Sequence, residues 1–214
     1  MPSNAQTQFI NQIGYVDQLI AIHRKLQTGK GRRHEQDALH RAGVVMIVAA
    51  WESYIEKLVM EALDAIEQNA CSAASSAATT VPPWAHHAYS LRRAEIVKSV
   101  ERFNTPNDIE VRNLLHGTLE FNPWLHWSWD SRRRQWGEME VRNYLNQWVF
   151  IRHSVAHGFP LPNTIKWLKD RQNRPRLTLN LLNQCKRFFE HVVNQTDNSF
   201  RLWLQNHHRV QNPW

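Results

Sequence analysis

Apolar residues recur at three- and four-residue steps along most of the chain, the period of a helix with one buried face. Between residues 4 and 27, Phe9, Ile13, Val16, Leu19, Ile20 and His23 share one side. Thr28-Gly29-Lys30-Gly31 predicts the stop, and the basic loop Arg32-Arg33-His34 follows. The strongest pattern spans 36–68, where Val44, Ile47, Val48, Trp51, Ile55, Leu58, Val59, Ala62 and Ile66 alternate with Glu52, Glu56, Lys57 and Glu61 on the other face. That length predicts a bundle spine. Residues 70–83, rich in Ala, Ser and Thr and ending in Pro82-Pro83, read as a flexible loop. Neither flank completes a core alone, so 1–214 reads as one domain.

The second half continues in the same manner. A short basic helix is predicted near 90–102. Thr105-Pro106-Asn107-Asp108 then predicts an N-cap, a proline at the first helical position and an acid in the first turn. Leu114 and Leu115 extend that helix and Gly117 closes it. Residues 121–137 hold Trp124, Trp127, Trp129 and Trp136 around three arginines without a period, and predict a packed irregular loop. Helices follow near 138–157, stopped by Gly158 and Pro160, and near 178–206. Leu177-Thr178-Leu179 has the composition of a short strand with no partner in view. The expected fold is all-α, a helical bundle of four to five main helices.

Composition narrows the chemistry. The 214 residues are 42% hydrophobic, enough to bury one sizeable core, and include ten Trp but only seven Gly. Few glycines argue against a turn-rich β-sandwich. Neither a dinucleotide-binding glycine fingerprint nor a phosphate-cradling loop is present, because Gly29-Lys30-Gly31 lacks the upstream glycine and the hydroxyl residue. The net charge is +7, and it is unevenly placed. Residues 1–100 carry ten Lys/Arg against nine Asp/Glu, and residues 101–214 carry sixteen against ten, mostly Arg. Guanidinium forks match phosphate oxygens, so a polyanionic partner and a generic basic surface both fit the charge. Two distant cysteines, Cys71 and Cys185, predict no disulfide framework. The N-terminal sequence lacks a basic start followed by an apolar run, and the longest apolar stretch, Val44 to Trp51, is about half a membrane span. A cytoplasmic protein with no membrane partner is expected.

The informative string is Ile151-Arg152-His153-Ser154-Val155-Ala156-His157-Gly158. It places a guanidinium and two imidazoles at the end of a mostly apolar helix. Arg152 on an inward face needs an anion or a hydrogen-bond network. His157, just before the helix-stopping glycine, is free to leave the helix wall, where the helix C-terminus favours its charged form. A structural reading stands beside this one: Arg152 pairs a core acid and His157 caps carbonyls. His153 and His157 have the spacing of two zinc ligands, but Ser154 stands where a zinc-peptidase motif needs its glutamate, and no third ligand pattern emerges. No metal and no cofactor are expected.

Arg152-His153-x-x-x-His157 resembles the RX4-6H motif of HEPN domains. The upstream string Ala50-Trp51-Glu52-Ser53-Tyr54-Ile55 resembles the long second helix of that family. Phe103-Asn104-Thr105-Pro106, a helix, a Trp-rich insert and a motif helix ending His157-Gly158 resemble its RiboL-PSP-HEPN branch, over most of 40–160. The resemblance implies a metal-independent endoribonuclease that works as a homodimer with a composite cleft. It implies His157 as general acid or base, Arg152 as phosphate binder, and His153 as a group that orients the pair or contacts RNA. Products would carry 2′,3′-cyclic phosphate and 5′-hydroxyl ends. It further implies a toxin or anti-phage effector with a possible cognate antitoxin, or alternatively a non-catalytic module that binds RNA or a protein. Glu52 is placed either to pair Arg152 or as a solvated acid in a row with Glu56. Arg132, Arg133 and Arg134 fit RNA-backbone contacts or a solvated loop run. The tryptophans suit packing better than base stacking.

Overall fold

The computed structural model describes residues 1–25, 36–76, 83–131 and 134–214. Six α-helices are found among them: α1 (Asn4–Lys25), α2 (Asp37–Ser76), α3 (Pro83–Glu101), α4 (Asp108–Leu119), α5 (Glu138–Ala156) and α6 (Leu179–His207). The all-α class stands, with the long α2 as the spine against which α1, α5 and α6 pack. Its buried residues Val44, Ile47, Val48, Trp51, Ile55, Leu58, Val59 and Ala62 follow the helical period read from the chain. Trp51 is wholly buried and still satisfies its indole by donating from Nε1 to Pro106 O at 3.0 Å.

The amino end of α1 is tied to two other helices. Glu61 of α2 accepts the backbone N–H groups of Asn4 (2.9 Å) and Ala5 (3.0 Å), two of the donors a helix start leaves unpaired. Ser3 Oγ accepts from Gln6 N–H at 2.9 Å. Ser3 in turn donates from its N–H (3.2 Å) and its hydroxyl to Asp197 of α6. Asp197 is only 1% exposed, and burial pushes its carboxyl up despite those donors.

Several boundaries differ from the sequence reading. Helix α2 continues through residues 70–76 and α3 already begins at Pro83, so the expected loop of 70–83 shrinks; residues 77–82 lie outside the described residues. Alanine is the strongest helix former, and its low-complexity run extends the spine rather than breaking it. The basic loop 32–34 also lies outside the described residues. The N-cap of α4 is Asn107, accepting from Glu110 N–H at 2.8 Å, so Pro106 precedes the helix instead of opening it. Gly117 sits inside the last turn of α4, and Glu120 in the left-handed region (φ 57°) ends it. Thr178 caps α6, and no strand forms at 177–179.

The Trp-rich segment is not irregular throughout. A 3-10 turn over Pro123–His126 leads to a two-stranded hairpin, β1 (Trp129–Ser131) and β2 (Arg134–Trp136), with Trp129 opposite Trp136. Three-residue strands are too short to show an alternation. The tryptophans pack: Trp127 is 2% exposed and donates to Thr196 Oγ1 at 3.0 Å, and Trp129 meets Phe188 edge-on. Trp124 lies under the Arg142 guanidinium, 3.4 Å from ring centroid to Cζ. Its Nε1 donates to Asp108 O, while the buried Asp108 carboxylate accepts from Arg142 Nε and Asn146 Nδ2, both at 2.7 Å. This network locks α4 and the insert onto α5 and so fixes the helix that carries the site.

Candidate active site at the end of helix α5

Helix α5 turns Val141, Leu145, Trp148, Val149 and Ile151 into the core. Arg152 flanks that buried side. His153 follows on the solvent side, and Ala156 ends the helix, exposed. His157 is the C-cap (φ −97°, ψ 7°), its N–H donating to His153 O at 3.1 Å. Gly158 then adopts φ +70°, a conformation that favours glycine, and lets Phe159 N–H reach back to Ser154 O at 2.8 Å. The turn therefore holds the His157 backbone through its neighbours while the imidazole stays exposed.

Arg152 and Glu52 meet across the α2–α5 contact. Nη2 lies 2.7 Å from Glu52 Oε2, with the side chains 22% and 17% exposed. Of the two readings left open for Glu52, pairing is the observed one. Burial raises the Glu52 carboxyl above its usual range; Arg152 opposes that shift and Glu56 adds to it. A guanidinium carries five donors, and one carboxylate oxygen satisfies only part of that capacity. The half-buried fork is thus oriented by Glu52 with donors left to bind a further anion.

The two imidazoles form a second pair. The rings of His153 and His157 have centroids 4.4 Å apart at 48°, both on the exposed side of the helix end. Phe159, 55% exposed, stacks beside His157 at 5.9 Å and 27°. Sequence reasoning missed Phe159; the only signal was its place just past the helix-stopping glycine. The structure thus joins Arg152 to Glu52 and His153 to His157, two pairs at adjacent positions of one helix end. Arg132 and Arg133 lie outside the described residues, and Arg134 opens β2. Among the described residues no group of three or more His, Cys, Asp or Glu is placed to hold a metal ion. The Cys185 thiol is wholly buried, and burial drives its pKa far up, which suits packing rather than nucleophilic work.

The exposed residues of α5 share one side, interrupted at Asn146 and Gln147, which are partly buried against Asp108 and Trp167. Met139 (71% exposed), Asn143, Phe150 (49%), His153 and His157 recur at three- to four-residue intervals or multiples of them. No described helix is long and apolar enough to cross a membrane.

Comparison with known proteins gives one positive finding. No curated protein and no solved structure matches the chain. The family model described as RiboL-PSP-HEPN matches residues 13–201, which include α2, α5 and every residue of the two side-chain pairs. By that match, over most of its length, the chain belongs to the RiboL-PSP-HEPN family.

Proposed function

We propose that this protein is a metal-independent endoribonuclease, active as a homodimer, in which Arg152 and His157 carry the chemistry. The observation that supports it most directly is the Glu52-oriented Arg152 fork at the same helix end as the exposed His153–His157 pair. Membership of a family associated with RNA cleavage supports the substrate class. In the proposed reaction one imidazole removes the proton of a ribose 2′-hydroxyl. The oxygen attacks the adjacent phosphorus, and the bond to the 5′-oxygen breaks. A protonated imidazole, in a composite cleft the second copy's histidine, returns a proton to that leaving oxygen. Arg152 offers donors to the phosphoryl oxygens as their charge grows. The products are a 2′,3′-cyclic phosphate and a 5′-hydroxyl. The nucleophile belongs to the substrate, so the scheme needs neither metal nor cofactor.

The stripe of Met139, Phe150, His153 and His157 is the proposed dimer face, because it would bring two motif helices together with exposed Phe150 buried between them. Biologically we propose a cytoplasmic toxin or anti-phage defence effector, restrained by a cognate antitoxin or regulator. His153 orients His157 or contacts RNA, and Arg132, Arg133 and Arg134 contact the RNA backbone. A second reading has its own support: Arg152 already has a carboxylate partner, as a non-catalytic module binding RNA or a protein would need for stability alone.

The test is cleavage of mixed-sequence RNA in excess chelator. Wild type should cut and leave cyclic phosphates, and His157→Ala should lose about 10²–10⁴-fold in rate with an unchanged melting temperature, because the side chain is exposed. Activity should also fall on dilution below the dimer dissociation constant. Cleavage that depends on metal overturns the mechanism. Salt-dependent RNA binding without any cleavage favours the binding module.

A further inference from the structure

The turn that ends α5 holds an aromatic ring out in solvent. His157, Gly158, Phe159 and Pro160 are all exposed, and the chain re-enters the core at Leu161. Phe159 N–H donates to Ser154 O at 2.8 Å, the bond that closes a helix around a left-handed glycine. An apolar residue at this point of such a turn commonly docks on the last helical turn. Here that turn offers Ser154, whose hydroxyl is turned back to Phe150 O at 3.0 Å, and the exposed His153. Docking there leaves the Phe159 residue 55% exposed. The backbone is nevertheless stiff. Pro160 confines the residue before it to extended conformations, and the buried Leu161 and Pro162 anchor the far side.

Three rings meet at this turn. Phe159 lies 5.9 Å from His157 at 27° and 6.0 Å from His153 at 45°, and these imidazoles are its ring partners among the described residues. Rings in full face contact stand about 3.5–4 Å apart, so at 5.9 Å Phe159 is offset from His157 and its face is left uncovered. An open π-face next to an imidazole suits a nucleobase, because every base offers a flat face to stack on it. The donors of Arg152 at the same helix end suit the phosphate. Backbone and base of one nucleotide thus find separate partners at one helix end.

We propose that Phe159 is the stacking platform for a nucleobase flanking the scissile phosphate, and that it directs cleavage to purines in single-stranded RNA. This rests on the RNA-cleaving reading above and adds which nucleotide the site takes. The fused rings of a purine overlap a benzene ring more fully than a pyrimidine does, and stacking strength sets preference where no base edge is read. A base inside a duplex has both faces covered by its neighbours, so only an unpaired, splayed base reaches the platform. The stiff turn holds the ring in place before the base arrives, which lowers the ordering cost of the stack.

The experiment measures anisotropy of fluorescein-labelled 2′-O-methyl strands, which lack the attacking hydroxyl, at about eight nucleotides. The probes are oligo(U), oligo(U) with one central A, and an abasic strand of equal length and charge. Wild type should bind the A-containing strand most tightly and the abasic strand least. Phe159→Ala should lose about 5- to 150-fold on the A-containing strand, the range of one base–aromatic stack, and nothing on the abasic strand. Phe159→Leu keeps the apolar bulk without a π-face and should share the loss; Phe159→Trp should restore binding. In chelator cleavage of mixed-sequence RNA, sequenced ends should show purines enriched on one side of the wild-type cut and no enrichment for Phe159→Ala. Unchanged affinity of Phe159→Ala for the A-containing strand, an equal loss on the abasic strand, or full affinity of Phe159→Leu overturns the platform. So does light scattering that finds wild type dimeric and Phe159→Ala monomeric, which makes the ring an interface residue. If wild type still cuts RNA in those cases, the nuclease reading survives. If wild type binds in the expected pattern and cuts nothing, the platform stands and the nuclease reading falls. If it neither binds nor cuts RNA, both fall.

Discussion

Replacing Glu52 by glutamine separates a positioning role from a structural one. The pair sits at 2.7 Å with both side chains mostly buried. Even with Arg152 this close, burial still raises the Glu52 carboxyl, so the cost of removing its charge from water outweighs the attraction. A glutamine keeps the shape and an oxygen acceptor while removing that cost and that attraction together. The guanidinium stays charged and mostly buried, but the amide oxygen still accepts its hydrogen bond, so the loss should stay below the roughly 3–5 kcal/mol of a broken buried pair, at about 1–2 kcal/mol, or about 2–8 °C in melting temperature for a chain of this size. The pH dependence has a definite sign. A carboxyl whose pKa is raised by folding binds its proton more readily folded than unfolded, so wild type gains stability as pH falls from neutral through the raised pKa. Glu52→Gln should lack that gain. Function should suffer more than stability. A neutral amide holds the guanidinium roughly half as strongly as a carboxylate, and a misplacement of about 1 Å at a reacting group costs up to about 10²-fold. Turnover on RNA should therefore fall about 10- to 100-fold. Circular dichroism melts at several pH values and chelator cleavage assays on the same preparation read both effects. A melting temperature lowered by more than about 8 °C, with turnover per folded molecule intact, would refute the positioning role and make the pair purely structural.

Other outcomes follow from the same reasoning. Asp197→Asn should flatten the acid side of the stability profile, because wild type relieves the burial of its raised carboxyl as pH falls through that pKa; thermal melts from neutral to mildly acidic pH check it. Asp197→Ala should instead cost about 1–3 kcal/mol, since it strips Ser3 N–H of its buried acceptor; an unchanged denaturant midpoint would contradict this. Gly158→Ala should cost about 1–2 kcal/mol, purely from the left-handed backbone, because nothing lies within 4 Å of the added methyl. Gly158→Asn should recover part of it.

Much of the site was legible because its signals are local. The helical period placed Trp51 inward and Glu52 beside it, and Gly158 announced the end of the motif helix, which stops at Ala156 with His157 as its C-cap. The segments read less well each have a physical reason. The Ala/Ser run of 70–76 carries high helix propensity but no apolar period, so periodicity took it for a loop. The hairpin at 129–136 is too short for an alternation; Trp129 is held by Phe188, remote in sequence, and Trp136 by Tyr144 of the following helix. Asn107 rather than Thr105 caps α4: its side chain takes the Glu110 N–H, and the Pro106 carbonyl, outside the helix, accepts the Trp51 indole from another helix.

The sequence by itself determined the helices, their buried faces and the residues with chemistry at the end of one of them, because a 3.6-residue period and a stopping glycine are properties of neighbours along the chain. Only the tertiary structure decided that Glu52 pairs Arg152 across a hundred residues, since either acid of the Glu52–Glu56 row satisfied the pattern and the packing of α2 on α5 selected one.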